Sequence, residues 1–427
     1  MMLANKQIFQ PHKYTPTIGV FLCAVVISLP FSVALANILL ACSLLIGVIS
    51  GRWWYGASIL WQQAKPLTIT WFAYIALMLA GLLWSPDIPR GLVVISKQWS
   101  WLIIPIFLAI CEDPKWRQRI LFSISIGLLL HLLLCVAQSQ GIPLPVKAPG
   151  GSSLQDPAGL IGHISFGLVY GIWAAWLLHT GILKKGNIRY ALWALAAFAT
   201  VWVFIVQGRS GYIVITVLAI TMTWKLWIQH LNIRLIFNAL FISIIVFTAI
   251  AMGPAKERIL STIDSLKAFS QGDLEHAEER ASIWYLAWES WKTKPLTGIG
   301  TGGFPSVSNT FITKQHSNLN LHGQTNIAVP HNIYLMALVR CGPLGLVILL
   351  LFLSFWIRQG WKLDWQQPNF LLIALSGIAL SVHGLTSQSI EEYHASIYTA
   401  IFLSIGLASL KNNYTQSLRS DEKNTSH

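Results

Sequence analysis

Arg209, Arg280 and His331 are the residues of this 427-residue chain whose type and setting best suit chemistry. Arg209 stands in Val-Gln-Gly-Arg-Ser-Gly-Tyr, a tight junction between two apolar runs. An arginine at the edge of hydrocarbon is costly unless it is paired, snorkels or binds something. It reads either as an interfacial arginine or helix cap, or as an anion clamp whose fork of donors matches phosphate oxygens. Gly208 and Gly211, flanking Arg209 and Ser210, would let backbone amides approach the same anion. Arg280, in Glu-Glu-Arg-Ala-Ser-Ile-Trp, is either a salt-bridge partner of Glu278, Glu279 or Asp273, or the second positive charge that a diphosphate needs. His331 follows Pro330 in Val-Pro-His-Asn-Ile-Tyr-Leu, at the start of an apolar run. It can be a cap or a hydrogen-bonded core residue, or a general base that takes a proton from a hydroxyl nucleophile.

The elements that must position these residues are membrane helices. The chain is 54% hydrophobic and only 11% charged, too few charges to clothe a soluble globule, so lipid must be its main solvent. Net charge +13 would suggest nucleic acid in a soluble protein, but here the basic residues are dispersed among the loops as topology signals. The first apolar run, Thr17 to Ser50, reads as a retained anchor rather than a cleaved signal, and Pro30 splits it into two spans. Further spans are expected at 66–84, 92–111, 118–139, 158–179, 189–206, 210–229, 232–252, 331–357, 369–388 and 394–410, about twelve in all. Every second connection is then basic: Lys6/Lys13, Arg52/Lys65, Lys115/Arg117/Arg119, Lys184/Lys185/Arg189, Lys225/Arg234, Arg358/Lys362 and Lys411/Arg419/Lys423. The expectation is an all-α polytopic protein, a single integral-membrane domain over 1–427, with both termini and a polar tail at 411–427 in the cytoplasm. Residues 253–330 form one large outside loop between the ninth and tenth spans. A loop of that length should fold. Ile283, Trp284, Ala287, Trp288 and Trp291 recur in it at helical spacing, and Pro295 with the glycines after it stops that helix.

Other constellations carry less. Gly298-Ile299-Gly300-Thr301-Gly302-Gly303 satisfies G-x-G-x-x-G, but it follows a helix stop rather than a strand, on the side where dinucleotides are scarce. His316 and His322 lack a Cys, Asp or Glu at ligand spacing, so they make a poor metal site. Glu391 and Glu392 could form an acid pair with His394, although a solvated turn or a salt bridge to Arg209 is the simpler reading. His163, in Ile-Gly-His-Ile-Ser, and His383 could line the same cavity as His331, with packing as their default. Arg340 should face the protein interior or a polar cavity, and Cys23, Cys42, Cys111, Cys135 and Cys341 read as small core residues.

Gly-Arg-Ser-Gly-Tyr, then Arg-Ala-Ser-Ile-Trp with Pro-Leu-Thr-Gly-Ile-Gly-Thr-Gly-Gly-Phe, then Pro-His-Asn-Ile-Tyr-Leu followed by Gly342 and Gly345, resemble the O-antigen ligase family in this order. That family is similar in turn to O-antigen polymerases and protein O-oligosaccharyltransferases. The resemblance implies about twelve spans in the bacterial inner membrane, with a large periplasmic loop before the histidine helix. It implies a glycosyltransferase whose donor is a glycan on undecaprenyl diphosphate and whose acceptor is a sugar hydroxyl of lipid A-core, with no nucleotide, metal or other cofactor. Arg209 and Arg280, with Gly208, Ser210 and His163 near them, would bind the diphosphate, and His331 would orient or deprotonate the acceptor. Arg340 departs from relatives that carry a neutral or acidic residue before the glycine. Polymerase and protein-glycosylase readings differ mainly in acceptor. A lipid-linked glycan flippase or transporter would instead want ionisable groups near mid-membrane, where His131 and Arg340 are the chief candidates.

Overall fold

The structure is a computed structural model that describes residues 14–143, 152–229, 278–315, 319–321, 326–365 and 367–424, with scattered positions between 260 and 273. Its elements are helical throughout the described residues. The first apolar stretch divides at its proline: α1 (Thr15–Ser28) ends before Pro30, and α2 (Val33–Ile49) starts after Ser32, whose Oγ accepts from Leu35 N at 3.2 Å.

The basic loop expected next is instead a helix. Gly51, at φ 78°, turns the chain so that α3 (Arg52–Gln63) leaves at 85° to α2. Hydropathy missed α3 because its apolar residues, Trp53, Trp54 and Trp61 among them, are interleaved with Arg52 and glutamines. After α4 (Lys65–Ala80), the span expected at 92–111 comes as three pieces: α5 (Ile88–Ser96), a 3₁₀ stretch (Lys97–Ile103) and α6 (Ile104–Cys111). The break has a cause in Pro105, which has no N–H for the Trp101 carbonyl; Ile104 N donates to that carbonyl one residue earlier.

The central layer is α7 (Pro114–Ser139), α8 (His163–Leu183), α9 (Asn187–Ile205) and α10 (Arg209–Gln229). Gly167 of α8 and Gly211 of α10 cross in contact: a Cβ on Gly167 would lie 2.0 Å from Gly211 Cα, so the two backbones meet with no side chain between. His131 of α7 is a packing residue. Tyr170 Oη donates to Leu128 O at 2.9 Å, so Nδ1 of His131 donates to Tyr170 at 2.8 Å and Nε2 accepts from Leu160 N at 3.0 Å. The span expected at 232–252 lies outside the described residues, as do His316 and His322.

The described part of the long loop has a small core of its own. In α11 (Glu279–Lys292), Ile283 and Ala287 of the expected helical face are buried, with Leu286 beside them, and they meet Ile299, Phe304 and Ile312 around α12 (Phe304–Gln315). This cluster rests on Met336 and Val339 of α13 (Ile333–Trp361). The chain closes with α14 (Pro368–His383) and α15 (Tyr393–Asn424), the latter running on as helix through the stretch read as a polar tail.

Among the described residues, six continuous helical stretches, the α5–3₁₀–α6 run counted as one, are long and apolar enough to cross a membrane, or seven counting the bent α2–α3 pair as one span. Thr15–Ser28, Lys65–Ala80 and Asn369–His383 are apolar but shorter. The protein is therefore an all-α integral membrane protein. Cys111, Cys135 and Cys341 are buried, Cys23 and Cys42 half-buried, and all are free thiols.

Candidate functional site

His331 is held by the residues on either side of it. Asn332 caps α13, its Oδ1 accepting from Tyr334 N at 2.9 Å and Leu335 N at 3.0 Å while its Nδ2 donates to Leu385 O at 2.9 Å. Ile333 N donates to Gly384 O at 2.8 Å, and Trp284 Nε1 of α11 donates to Pro330 O at 3.0 Å. Between these anchors His331 adopts φ 50°, a left-handed conformation that costs an L-residue about 1–3 kcal/mol. It is the one non-glycine residue with positive φ among those described. Burial lowers the pKa of the imidazole from its ordinary value, Arg280 lowers it further, and Glu392 opposes them. Burial and Arg280 thus favour the neutral ring, the form that can accept a proton.

Arg209 opens α10 and meets Glu278, at the entry to α11, at 2.7 Å. With side chains 35% and 32% exposed, such a pair is worth at most about 1 kcal/mol, so an incoming anion can displace Glu278 at small cost. Glu278 is therefore engaged by Arg209 rather than by Arg280, the partner weighed from sequence. No carboxylate among the described residues lies within ion-pair distance of Arg280. Burial lowers the Arg280 pKa; Glu278 opposes this, Arg209 adds to it, and Glu392 and Glu279 also oppose it. Arg280 is thus within electrostatic reach of Arg209 and Glu392, and His331 within reach of Arg280 and Glu392.

The first turn of α8 ties the remaining pieces to Arg209 and Glu392. A Cβ on Gly208 would lie 2.3 Å from His163 O, so glycine lets the Arg209 junction rest on the start of α8. Ser210 is buried beside it. Asp156 accepts from Gln207 N on Oδ1 at 2.8 Å, and its Oδ2 lies 3.0 Å from His163 Nδ1, close but off the line of a hydrogen bond. Ser165 Oγ donates to Glu392 Oε2 at 3.3 Å, and the Ser387 hydroxyl donates to Glu392 Oε1. His383 is a packing residue: Nε2 donates to Ile164 O at 2.6 Å, and Nδ1 lies 2.7 Å from Ser389 Oγ.

Two guanidinium groups can grip a doubly charged anion, and an imidazole can deprotonate a hydroxyl. Residues 194–350 match the family model described as O-antigen ligase. The chain carries an O-antigen ligase domain. No curated protein matches the chain. An O-antigen ligase domain marks the protein as an enzyme of the glycosyl-transferring, ligase type, working on lipid-borne substrates in a membrane. Arg209, Arg280, His331 and Arg340 fall inside the matched stretch, whereas Asp156, His163, Glu391 and Glu392 reach the ligase domain from either side of it.

Glu391 departs from the solvated turn expected of it. Its carboxylate receives both terminal nitrogens of Arg340, with NH2 to Oε2 at 3.2 Å, and the two side chains are only 3% and 7% exposed. This buried fork fastens the turn bearing Glu392 to α13 of the ligase domain. It does so just before a break: Gly342 has φ 65° and ψ −163°, and Pro343 cannot donate to Val339 O. The glycine-rich loop supplies the missing donors, Ile299 N to Val339 O at 2.8 Å and Gly300 N to Arg340 O at 3.1 Å. Thr301 extends the seam to α4, its N donating to Gly81 O at 3.1 Å and its Oγ1 to Met78 O at 2.7 Å. The G-x-G-x-x-G run is thus a docking loop for a broken helix. Two residues of the site, Asp156 and Glu392, were passed over or discounted in sequence. The available signal was a carboxylate in an otherwise weakly charged connection, which says nothing of its partner.

Proposed function

We propose that the protein transfers a glycan from undecaprenyl diphosphate to a sugar hydroxyl of lipid A-core at the periplasmic face of the bacterial inner membrane. The observation that supports this reading is that Arg280 lies within electrostatic reach of both Arg209 and His331, three groups far apart in sequence. Arg209 and Arg280 bind the diphosphate, with Gly208, Ser210 and His163 lining its place, and stabilise the charge that builds on it as it leaves. His331 orients the acceptor hydroxyl and takes its proton. A partly dry site strengthens these interactions relative to water. Diphosphate is itself a good leaving group, so the step needs no nucleotide and no metal.

The topology that goes with this function has about twelve spans, both termini in the cytoplasm and residues 253–330 as a periplasmic loop, supported by the alternation of basic connections. Both substrates are lipids and enter laterally from the membrane. Polymerase and protein-glycosylase activities would use the same donor site with another acceptor. The experiment is a competition in proteoliposomes holding the donor: lipid A-core, free glycan-diphosphate lipid and a serine-rich acceptor protein are offered together. The ligase reading expects label on lipid A-core; label on either other acceptor overturns the acceptor assignment.

A further inference from the structure

Glu278 is the N-cap of α11, with extended backbone at φ −62° and ψ 144°. Its backbone is fixed on both sides: the N–H donates to Ser265 Oγ, and Ala281 N donates to its carbonyl at 2.8 Å. A polar side chain at this position usually accepts from the free N–H groups of the first helical turn. The Glu278 side chain makes no such bond. It reaches instead to the start of another helix, where its Oε2 lies 2.7 Å from Nη1 of Arg209 on α10. The same carboxylate is within electrostatic reach of Arg280, on which it acts more strongly than Glu392 or Glu279 does. One carboxylate therefore addresses both of the arginines assigned to the diphosphate. Both side chains of the pair are partly exposed, so neither is locked by packing.

The chemistry of the transfer gives such a contact a use. In the donor, the diphosphate is esterified at both ends. Once the glycan has left, the released undecaprenyl diphosphate has one more ionisable oxygen. Fixed cations hold the more highly charged species more tightly, so the arginines bind product better than donor, and product release limits turnover. A carboxylate tethered beside them competes as an intramolecular ligand, at high effective concentration. We propose that Glu278 is a built-in competitor for the diphosphate site: it occupies Arg209 in the empty enzyme, yields it to the donor, and reclaims it as undecaprenyl diphosphate departs. This rests on the function proposed above. The displaced carboxylate has a nearby alternative in the first-turn N–H groups of α11, where the helix dipole favours negative charge. The exchange swaps one anion on Arg209 for another.

The test measures affinity, because a competitor for Arg209 and a prop that holds it in place predict opposite signs. Full-length protein in proteoliposomes is given undecaprenyl-diphosphate glycan and lipid A-core, with added undecaprenyl diphosphate as product inhibitor. Glu278→Gln keeps the size of the side chain and removes its charge. The donor KM and the inhibition constant should both fall by about two- to fivefold, the range that a partly exposed pair can hold back. Glu278→Ala should shift both in the same direction. Glu279→Gln removes the same charge one residue away and should shift them by a clearly smaller factor. Melting curves check that each variant is folded. Constants that stay level or rise in Glu278→Gln, or an equal fall in Glu279→Gln, overturn the proposal. Calorimetry with inorganic diphosphate reads the same competition without any transfer, and binding should tighten in Glu278→Gln by a similar factor. Wild-type protein that binds diphosphate but transfers glycan to no acceptor is a distinct result: it overturns the function and leaves the calorimetric test of Glu278 standing.

Discussion

In the proposed reaction His331 must be without its proton when the acceptor arrives, and burial together with Arg280 favours the neutral ring. The sign of the pH dependence follows. Because the pKa is lowered from 6.5, transfer should stay level as pH falls through that value and decline only below it, where the ring charges and the base is lost. Arg280→Gln removes a charge that lowers the His331 pKa and should move its titration to higher pH; Glu392→Gln removes one that raises it and should move it lower. NMR titration of isotope-labelled histidine reads both shifts, and unchanged titration in both variants would refute the coupling. Arg209→Ala and Arg280→Ala should each reduce transfer below detection with the protein still in the membrane, scored by glycan attachment and membrane fractionation. The three basic residues proposed for the site stand out in the sequence because each sits in a short, distinctive run beside glycine, proline or tryptophan. Asp156 and Glu392 do not, because their meaning lies in partners on other helices: Gln207 and His163 for one, Ser165 and Ser387 for the other.

At the scale of the helix, the site depends on a broken α13 whose free carbonyls the glycine-rich loop occupies. Gly342→Ala places a Cβ 2.1 Å from Leu296 O at a positive φ, and should destabilise the protein by about 1–3 kcal/mol, read as a lower melting temperature in detergent. Arg340→Met leaves Glu391 buried without its partner and should cost about 3–5 kcal/mol. The double variant Arg340→Met/Glu391→Met should be more stable than that single one, and a double variant less stable than either single would contradict the pairing. Elements that end at a proline or glycine were legible: the α1–α2 division at Pro30, and the end of α11 before Pro295. The orientation of α3 and the 3₁₀ stretch inside α5–α6 were not, because hydropathy registers how apolar a segment is and not the direction in which it runs.

At the scale of the molecule, composition alone established a helical membrane protein, but equal spans of about twenty residues are an idealisation. Alternating loop charge remains the basis for direction across the membrane. In a cysteine-free background, Leu296→Cys, at a position 82% exposed, should react with an impermeant maleimide from the periplasm, and Lys185→Cys only after the inner membrane is opened. The reverse pattern would turn the protein over and remove the periplasmic site. The most direct test of the whole account is glycan transfer by purified protein given undecaprenyl-diphosphate glycan and lipid A-core, with chelator and without ATP, for the wild type and His331→Ala side by side. The account predicts glycan-bearing lipid A-core and released undecaprenyl diphosphate from the wild type and neither from His331→Ala; full transfer by His331→Ala would contradict it.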